Sequence, residues 1–403
     1  MKSEKILLFT LAAVMFTHIM DFMIMMPLGP QLIRLLEISP QQFSLLVASY
    51  TITAGITGFI SAFLIDRFDR KTSLIVMYAG FAFGTLACGF STTYDMLMIT
   101  RSLAGAFGGV LGALVMSMVS DAVPLERRAG AIGLVMASFS VASVAGVPIG
   151  LFLADKFNWQ MPFLSLGGFS VLVWLTSFYT VPMMRKHLIT GEKPKNPLQV
   201  LTSIFGNKNA RIGLTFSAVL MLGHFTIVPF ISPYMVGNVG LSEGELMYIY
   251  LVGGACTMFF SPWVGKMADK HGRLTIFTIF GTLVMLPIFT ITNLPVLPLW
   301  LCLFVAAVFF VFSNGRLVPS TTMETAVIAP EIRGSYMSIR SSVQQLASGL
   351  AAFVAGIIIT EEPSVFSQEA KALVNYNYVG YIAIFFSLVA LWVARHLKTT
   401  TTQ

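Results

Sequence analysis

This sequence carries little charge. Asp, Glu, Lys and Arg make up 11% of its 403 residues, whereas 56% are hydrophobic and the mean hydropathy is +0.80. A soluble domain carries about 25% charged residues, so the balance excludes a water-soluble globule and implies an integral membrane protein. Cysteine is almost missing: Cys88, Cys256 and Cys302 each lie inside an apolar run, away from any Cys or His at metal spacing. That excludes a disulfide framework and a zinc site, and the three are read as packing residues. Five scattered histidines form no cluster with catalytic or metal spacing, which argues against a membrane enzyme. No G-x-x-x-x-G-K-[ST] loop occurs, so ATP cannot drive a cycle from within this chain, and no cofactor is implied. Nothing resembles a repeated filter or a ring of like charge, as a channel would need.

Apolar runs are present in quantity. About twelve, each near the ~20 residues that cross a bilayer, fall at 6–33, 42–65, 72–91, 96–120, 130–153, 161–183, 211–236, 245–268, 274–293, 297–322, 335–360 and 376–395. The first is too long for a signal-peptide core and is read as a retained span. The pI of about 9.3 would suit nucleic acid, but the positions of the bases decide otherwise. Nineteen lysines and arginines fall on one side of the alternating links and only Arg34, Lys156 and Lys371 on the other. By the positive-inside rule both termini are expected in the cytoplasm. The one long polar interval divides the chain into a bundle over 1–183, a basic cytoplasmic linker over 184–210 and a second bundle over 211–403.

The two parts repeat. Residues 58–71, GFISAFLIDRFDRK, return about 203 positions later as residues 261–274, SPWVGKMADKHGRL. Each copy has a small residue (Ala62, Gly265), an aspartate four later (Asp66, Asp269), a base (Arg67, Lys270) and an arginine (Arg70, Arg273). The same offset sets Asp121 on Glu324 and Asp21 on His224, and brings the Pro27–Pro30 pair near Pro229 and Pro233. Such a register marks an internal duplication. Solvated loop charges alone do not explain an acid in both copies. The spacing resembles the loop signature of the major facilitator superfamily, G-x-x-x-D-[RK]-x-G-[RK]-[RK]. The second copy is intact through Arg273, whereas the first has Ala62 and Asp69 where glycines are usual. Asp69 is expected to take the left-handed turn that glycine supplies there.

Three further stretches narrow the resemblance. Residues 97–109, with Arg101, Gly105, Gly108 and Gly109, resemble the l-x-x-x-R-x-x-q-G motif of the fourth span, with Ala104 for the glutamine. Gly146, Pro148 and Gly150 resemble the antiporter motif G-P-x-x-G with its proline displaced by one. Residues 20–30 have the proline spacing of the first-span motif, with Asp21 where glycine is usual. Together they look like the twelve-span drug:proton antiporter branch and its arabinose-efflux-like relatives. The resemblance implies an all-α membrane protein of about twelve helices in two pseudo-symmetric six-helix bundles, with a substrate site near the midplane between them. The small residues of the fifth span serve plain close packing equally well.

Ionisable residues inside spans are costly and therefore informative. Asp21 on the first span and Arg101 on the fourth can share a depth, and a carboxylate whose proton affinity depends on a nearby arginine is a proton switch. Gly105, Gly108 and Gly112 share the face of Arg101 and are expected to leave its guanidinium room to swing. His18 projects from the face of Asp21, and His224 is its counterpart in the second half; the plainer reading of both is a satisfied core histidine. Arg316 and Arg340 either line the cavity, snorkel or hold a gate. Tyr336, Arg340, Gln344 and Ala347 share one face, as do Tyr50, Ala54, Thr57 and Ser61, and such mixed stripes suit a wet cavity wall. The methionines around 15–26 are core filler, though a soft surface also suits varied apolar ligands.

The expected function is proton-coupled efflux of a small organic substrate, such as a drug or sugar, by alternating access; the alternative is a proton-driven uptake symporter. The energy source would be the proton gradient, and the partners substrate, protons and the lipid of a plasma or bacterial inner membrane, with no nucleic acid and a monomeric carrier. Asp66 facing Arg333, Asp269 facing Arg128, and the pairs Arg70–Asp121 and Arg273–Glu324 are expected to latch the cytoplasmic side.

Overall fold

The computed structural model describes residues 2–64, 68–184, 197–328, 333–366 and 371–398. Asp66, Arg67 and residues 185–196 of the linker lie outside them, as does the side chain of Arg333. Among the described residues, twelve helical segments are long and apolar enough to cross a membrane: Glu4–Ile24, Pro40–Phe63, Arg70–Gly89, Tyr94–Ala122, Gly130–Lys156, Met161–Thr180, Lys208–Gly237, Glu243–His271, Arg273–Thr292, Leu299–Thr325, Gly334–Ile358 and Tyr376–Ala394. Their outward surface is apolar: Phe9, Ile99, Leu172, Phe259, Leu286, Trp300 and Trp392 are all more than half exposed. In water such a belt would be a liability, and in lipid it is the matching surface.

The first span ends at Ile24 rather than near 33, because Pro27 and Pro30 withhold the N–H groups that would continue it. A separate short helix, Gly29–Leu35, follows. The seventh span breaks at its equivalent place, where a 3-10 turn over Val228–Phe230 separates helix Lys208–Phe225 from Ile231–Gly237. The two broken ends meet: a Cβ on Gly29 would sit 2.9 Å from the Pro233 ring. On this face, away from the termini, Arg34 bridges the halves to Glu243 with Nε–Oε1 and Nη2–Oε2 distances of 3.2 and 3.1 Å. Beside it, strands Thr360–Pro363 and Lys371–Val374 form an antiparallel hairpin that no feature of the sequence announced. Asn238 holds that hairpin on the seventh span, donating to the Leu373 carbonyl at 2.9 Å and accepting from its N–H at 2.8 Å.

The halves meet along the second and eleventh spans. Small residues make the seam: Gly349 lies against Thr51, Gly55 against Leu346 and Gly58 against Ser342, as close packing between helices in lipid requires. Within the first half, Gly105 and Gly109 let the fourth span touch the backbone of the second at Tyr50 and Ala54. Gly112 meets nothing within 4 Å. Gly105, expected to give Arg101 room, instead brings two helices together.

The two loop copies are built differently. Gly272 has φ +91° and caps the helix beginning at Arg273. Asp69, expected to be left-handed, has φ −58° and accepts from the N–H groups of Lys71 and Thr72 at 2.9 and 3.2 Å. It substitutes a side-chain cap for a glycine turn.

Candidate functional site

Of the 25 lysines and arginines, three lie deep within spans: Arg101, Arg316 and Arg340, all buried. Among the described residues, two fully buried acids accompany them, Asp21 and Glu324. Two acids against three arginines gives two pairs and one cation left over.

The first pair joins the first and fourth spans. Arg101 Nη1 lies 2.8 Å from Asp21 Oδ2 and 3.3 Å from the Asp21 carbonyl, and Thr85 of the third span donates to Oδ1 at 3.1 Å. The guanidinium carbon stands 4.4 Å from the centre of the Tyr50 ring and 5.8 Å from that of Phe163. Two aromatic faces and an acid therefore fill the space that sequence reasoning left open around it. His18 stands beside this site, its ring 5.9 Å from that of Phe81, with neither nitrogen hydrogen-bonded.

A cavity of about 250 Å³ opens between the halves, next to the pair. Its walls come from the first span (Phe22, Met23, Met26), the fifth (Phe139, Ser143), the seventh (Met221, His224, Phe225), the eighth (Tyr250, Thr257) and the tenth (Phe310, Ser313, Asn314, Leu317). Phe22 links cavity and ion pair: its ring is 5.9 Å from Tyr50, which lies under Arg101, and 5.7 Å from Phe225 across the cavity. Most of these residues were not singled out from the sequence. The signal available was the helical spacing of Phe310, Ser313, Asn314 and Leu317, a polar strip within an apolar run.

The stripes expected to wet the cavity do not line it. Tyr50 and Ala54 pack against Gly105 and Gly109, while Thr57 and Ser61 border a separate groove toward the third span. Tyr336 and Arg340 turn inward to a buried cluster: Arg340 pairs with Glu324, and Ser217 of the seventh span contacts both. Gln344 is half-buried one turn along. The expected Arg273–Glu324 pair is therefore not made, because Glu324 faces the bundle interior. Arg70 and Asp121 do meet, with Nε and Oδ2 2.5 Å apart. Asp269 is exposed and makes no ion pair among the described residues, and Arg128 donates to the Val123 carbonyl at the end of the fourth span, at 3.4 Å. Among the described residues, Arg34–Glu243 is the ion pair that crosses between halves, and it lies on the opposite face from the expected latch.

The Gly146–Pro148–Gly150 stretch holds a feature the motif did not announce. Residues Ala142–Gly146 form a π-helical turn, and Pro148 lies in the first turn of the helix Val147–Lys156. Gly146 and Gly150 seat this bent span on Met20 and Ile24 of the first, and the Ser143 carbonyl approaches Gly254 of the eighth. A π-turn is a frequent mark of a functional position, and here it places Ser143 on the cavity wall.

Twelve spans, a cavity shared by two halves and buried ion pairs beside it define a membrane carrier. The sequence pattern of the Major Facilitator Superfamily matches residues 11–351 and, separately, 213–402. The chain belongs to that superfamily: it is a multi-pass membrane transporter, not an enzyme. Similar proteins include the inner membrane transport protein YdhP of Escherichia coli strain K12, 25% identical over 83% of this chain and 84% of its own. The uncharacterized MFS-type transporter YbcL of Bacillus subtilis is 21% identical over 86% and 84%. Among solved structures, the D-xylose–proton symporter superposes with a TM-score of 0.78 at 17% identity, covering 99% of both chains. A bacterial homolog of the human lysosomal transporter Spinster gives 0.71 at 15% identity, over 98% and 95%. At these identities the structures show a shared fold.

Proposed function

We propose that this chain is a proton-coupled exporter of a small organic molecule, with Asp21 as the proton carrier and both termini in the cytoplasm. The observation that carries the reading is the buried Asp21–Arg101 pair one aromatic residue behind the cavity. Ionised Asp21 holds Arg101 over Tyr50. A proton on Oδ2 removes the charge that holds the arginine, and the ring beneath it, Tyr50, is the one that supports Phe22 on the cavity wall. Protonation and wall shape are thereby mechanically joined, the requirement for alternating access. The 19-to-3 distribution of bases supports the orientation, and an inner-membrane location agrees with it. A potential of ~100 mV supplies ~2.3 kcal/mol per charge moved, so one proton per cycle sustains roughly 50-fold substrate gradients.

The test is transport in proteoliposomes with an imposed pH gradient, using a substrate found by screening cells for both resistance and uptake. Asp21→Asn is expected to bind substrate yet show flux independent of the gradient. Gradient-driven exchange of wild-type size in that variant removes Asp21 from the mechanism, and flux running with the proton rather than against it replaces export by uptake.

A further inference from the structure

The left-over cation defines what the cavity takes. Arg316 on the tenth span is 1% exposed, makes one hydrogen bond, to Ser387 Oγ at 2.8 Å, and has no acid partner among the described residues. Its Nε has no acceptor. An uncompensated charge in a bilayer interior is expensive enough to persist only for use. Arg316 shares a helical turn of the tenth span with Ser313 and Leu317, which line the cavity together with His224. The Ser313 hydroxyl and His224 Nδ1 are likewise buried and unpartnered. Two polar groups with unfilled hydrogen-bonding capacity thus line a cavity that contains no carboxylate, and the unpaired arginine lies within one helical turn of one of them.

We propose that the cavity takes an organic anion: an aromatic or otherwise apolar body against Phe22, Phe225 and Phe310, and a carboxylate at the corner of His224, Ser313 and Arg316. This rests on reading the cavity as the transport site. Methionines and aromatic rings accept apolar bodies of varied outline, while a guanidinium and a neighbouring imidazole select for negative charge. A lipophilic cation meets Arg316 with no acid to offset it, and a sugar finds too few polar groups to replace its water. Export of an anion also runs with the membrane potential, which drives one negative charge outward by a factor of about 50 per 100 mV.

Binding to the full-length protein in nanodiscs, measured by calorimetry, tests this with three probes that share one body: 2-naphthoate, 2-naphthamide and 2-naphthylmethylamine. The wild type is expected to bind the carboxylate at least tenfold more tightly than the amide, and the amine least. Arg316→Gln should reduce the carboxylate to the level of the amide, and Arg316→Lys should keep part of the difference. A purely structural arginine would instead show itself as a lower Tm of unliganded Arg316→Gln; we expect that Tm to equal or exceed the wild type. Equal binding of carboxylate and amide by the wild type overturns the proposal, as does a preference that survives Arg316→Gln or failure of all three probes to bind. If Arg316→Gln does not fold, the wild-type ranking and Arg316→Lys still decide. The Asp21→Asn protein should retain the carboxylate preference, so a failure of proton coupling is distinguishable from a failure of anion selection.

Discussion

The Glu324–Arg340 pair and the Arg70–Asp121 pair hold acids at matching positions of the repeat, yet they should respond very differently to neutralisation. Side-chain exposures are 0% and 9% for Glu324 and Arg340, against 37% and 10% for Asp121 and Arg70. Glu324→Gln leaves Arg340 buried beside Ser217 with its charge uncompensated, a loss of ~3–5 kcal/mol. Asp121→Asn removes an acid that water already solvates, a loss of ~1 kcal/mol or less. Adding Arg340→Met to Glu324→Gln withdraws the stranded charge, so the double variant should be more stable than the sum of the single losses by up to ~3 kcal/mol. Unfolding of the purified protein in mixed micelles of dodecyl maltoside and SDS, followed by circular dichroism, gives all four values. Equal costs for Glu324→Gln and Asp121→Asn would refute the reasoning, as would a double variant no more stable than additivity allows. Either result would mean that Glu324 is solvated in the working protein, as a gate residue facing Arg273 would be.

Two further outcomes follow from the packing. Glu243→Gln breaks the inter-half pair with Arg34, whose side chains are 21% and 30% exposed; a shift of ~1 kcal/mol or less is expected, read as an up to roughly fivefold rise in labelling of cysteines placed along the far end of the cavity, and unchanged labelling would show that the pair does not bias opening. Gly109→Ala forces a Cβ to 2.6 Å from Ala54 Cα, an overpacking cost of ~1–3 kcal/mol, whereas Gly112→Ala meets open space and should be neutral or stabilising; equal losses in thermal unfolding would contradict the assigned helix contact.

Much of the fold was legible because its causes are local. A run of ~20 apolar residues must be a helix in lipid, and eleven of the twelve spans lie where hydropathy puts them. The exception, the early end at Ile24, is a proline effect visible in Pro27 and Pro30 but outvoted by the apolar residues around them. What failed was the direction of side chains around each helix. The sequence sets Arg340 in a mixed stripe, but a stripe has no sign until its neighbour is known: the same face that would suit a cavity also suits Ser217 and Glu324. Analogy with the other half points Glu324 at Arg273, but the repeat fixes backbone position alone, and the side chain pairs with Arg340. Asp69 shows the reverse, since a substitution that looked like a strained glycine mimic is an unstrained N-cap. The cavity walls were hardest to see, because Phe22, Phe225 and Phe310 come from three spans and are ordinary core residues in each.

The charges inside the bundle constrain how proton and substrate interact. With Asp21 ionised, the first half is neutral within the membrane and the second carries one net positive charge, that of Arg316. Protonating Asp21 adds a second positive charge, and bare electrostatics would then draw an anion in more strongly. Exchange transport demands the opposite, since the proton-loaded state must release substrate, and coupling is reciprocal. The contact that can reverse the sign is steric: Arg101, freed from Asp21, can shift against Tyr50, and Tyr50 supports Phe22. If movement there closes the wall on the naphthyl body, Asp21→Asn, which mimics the proton-loaded state, binds 2-naphthoate and 2-naphthamide several-fold more weakly than the wild type, by the same factor for both. Tighter binding of the carboxylate alone would mean that charge, not shape, joins the two sites, and a carrier built that way moves its proton and its anion in the same direction.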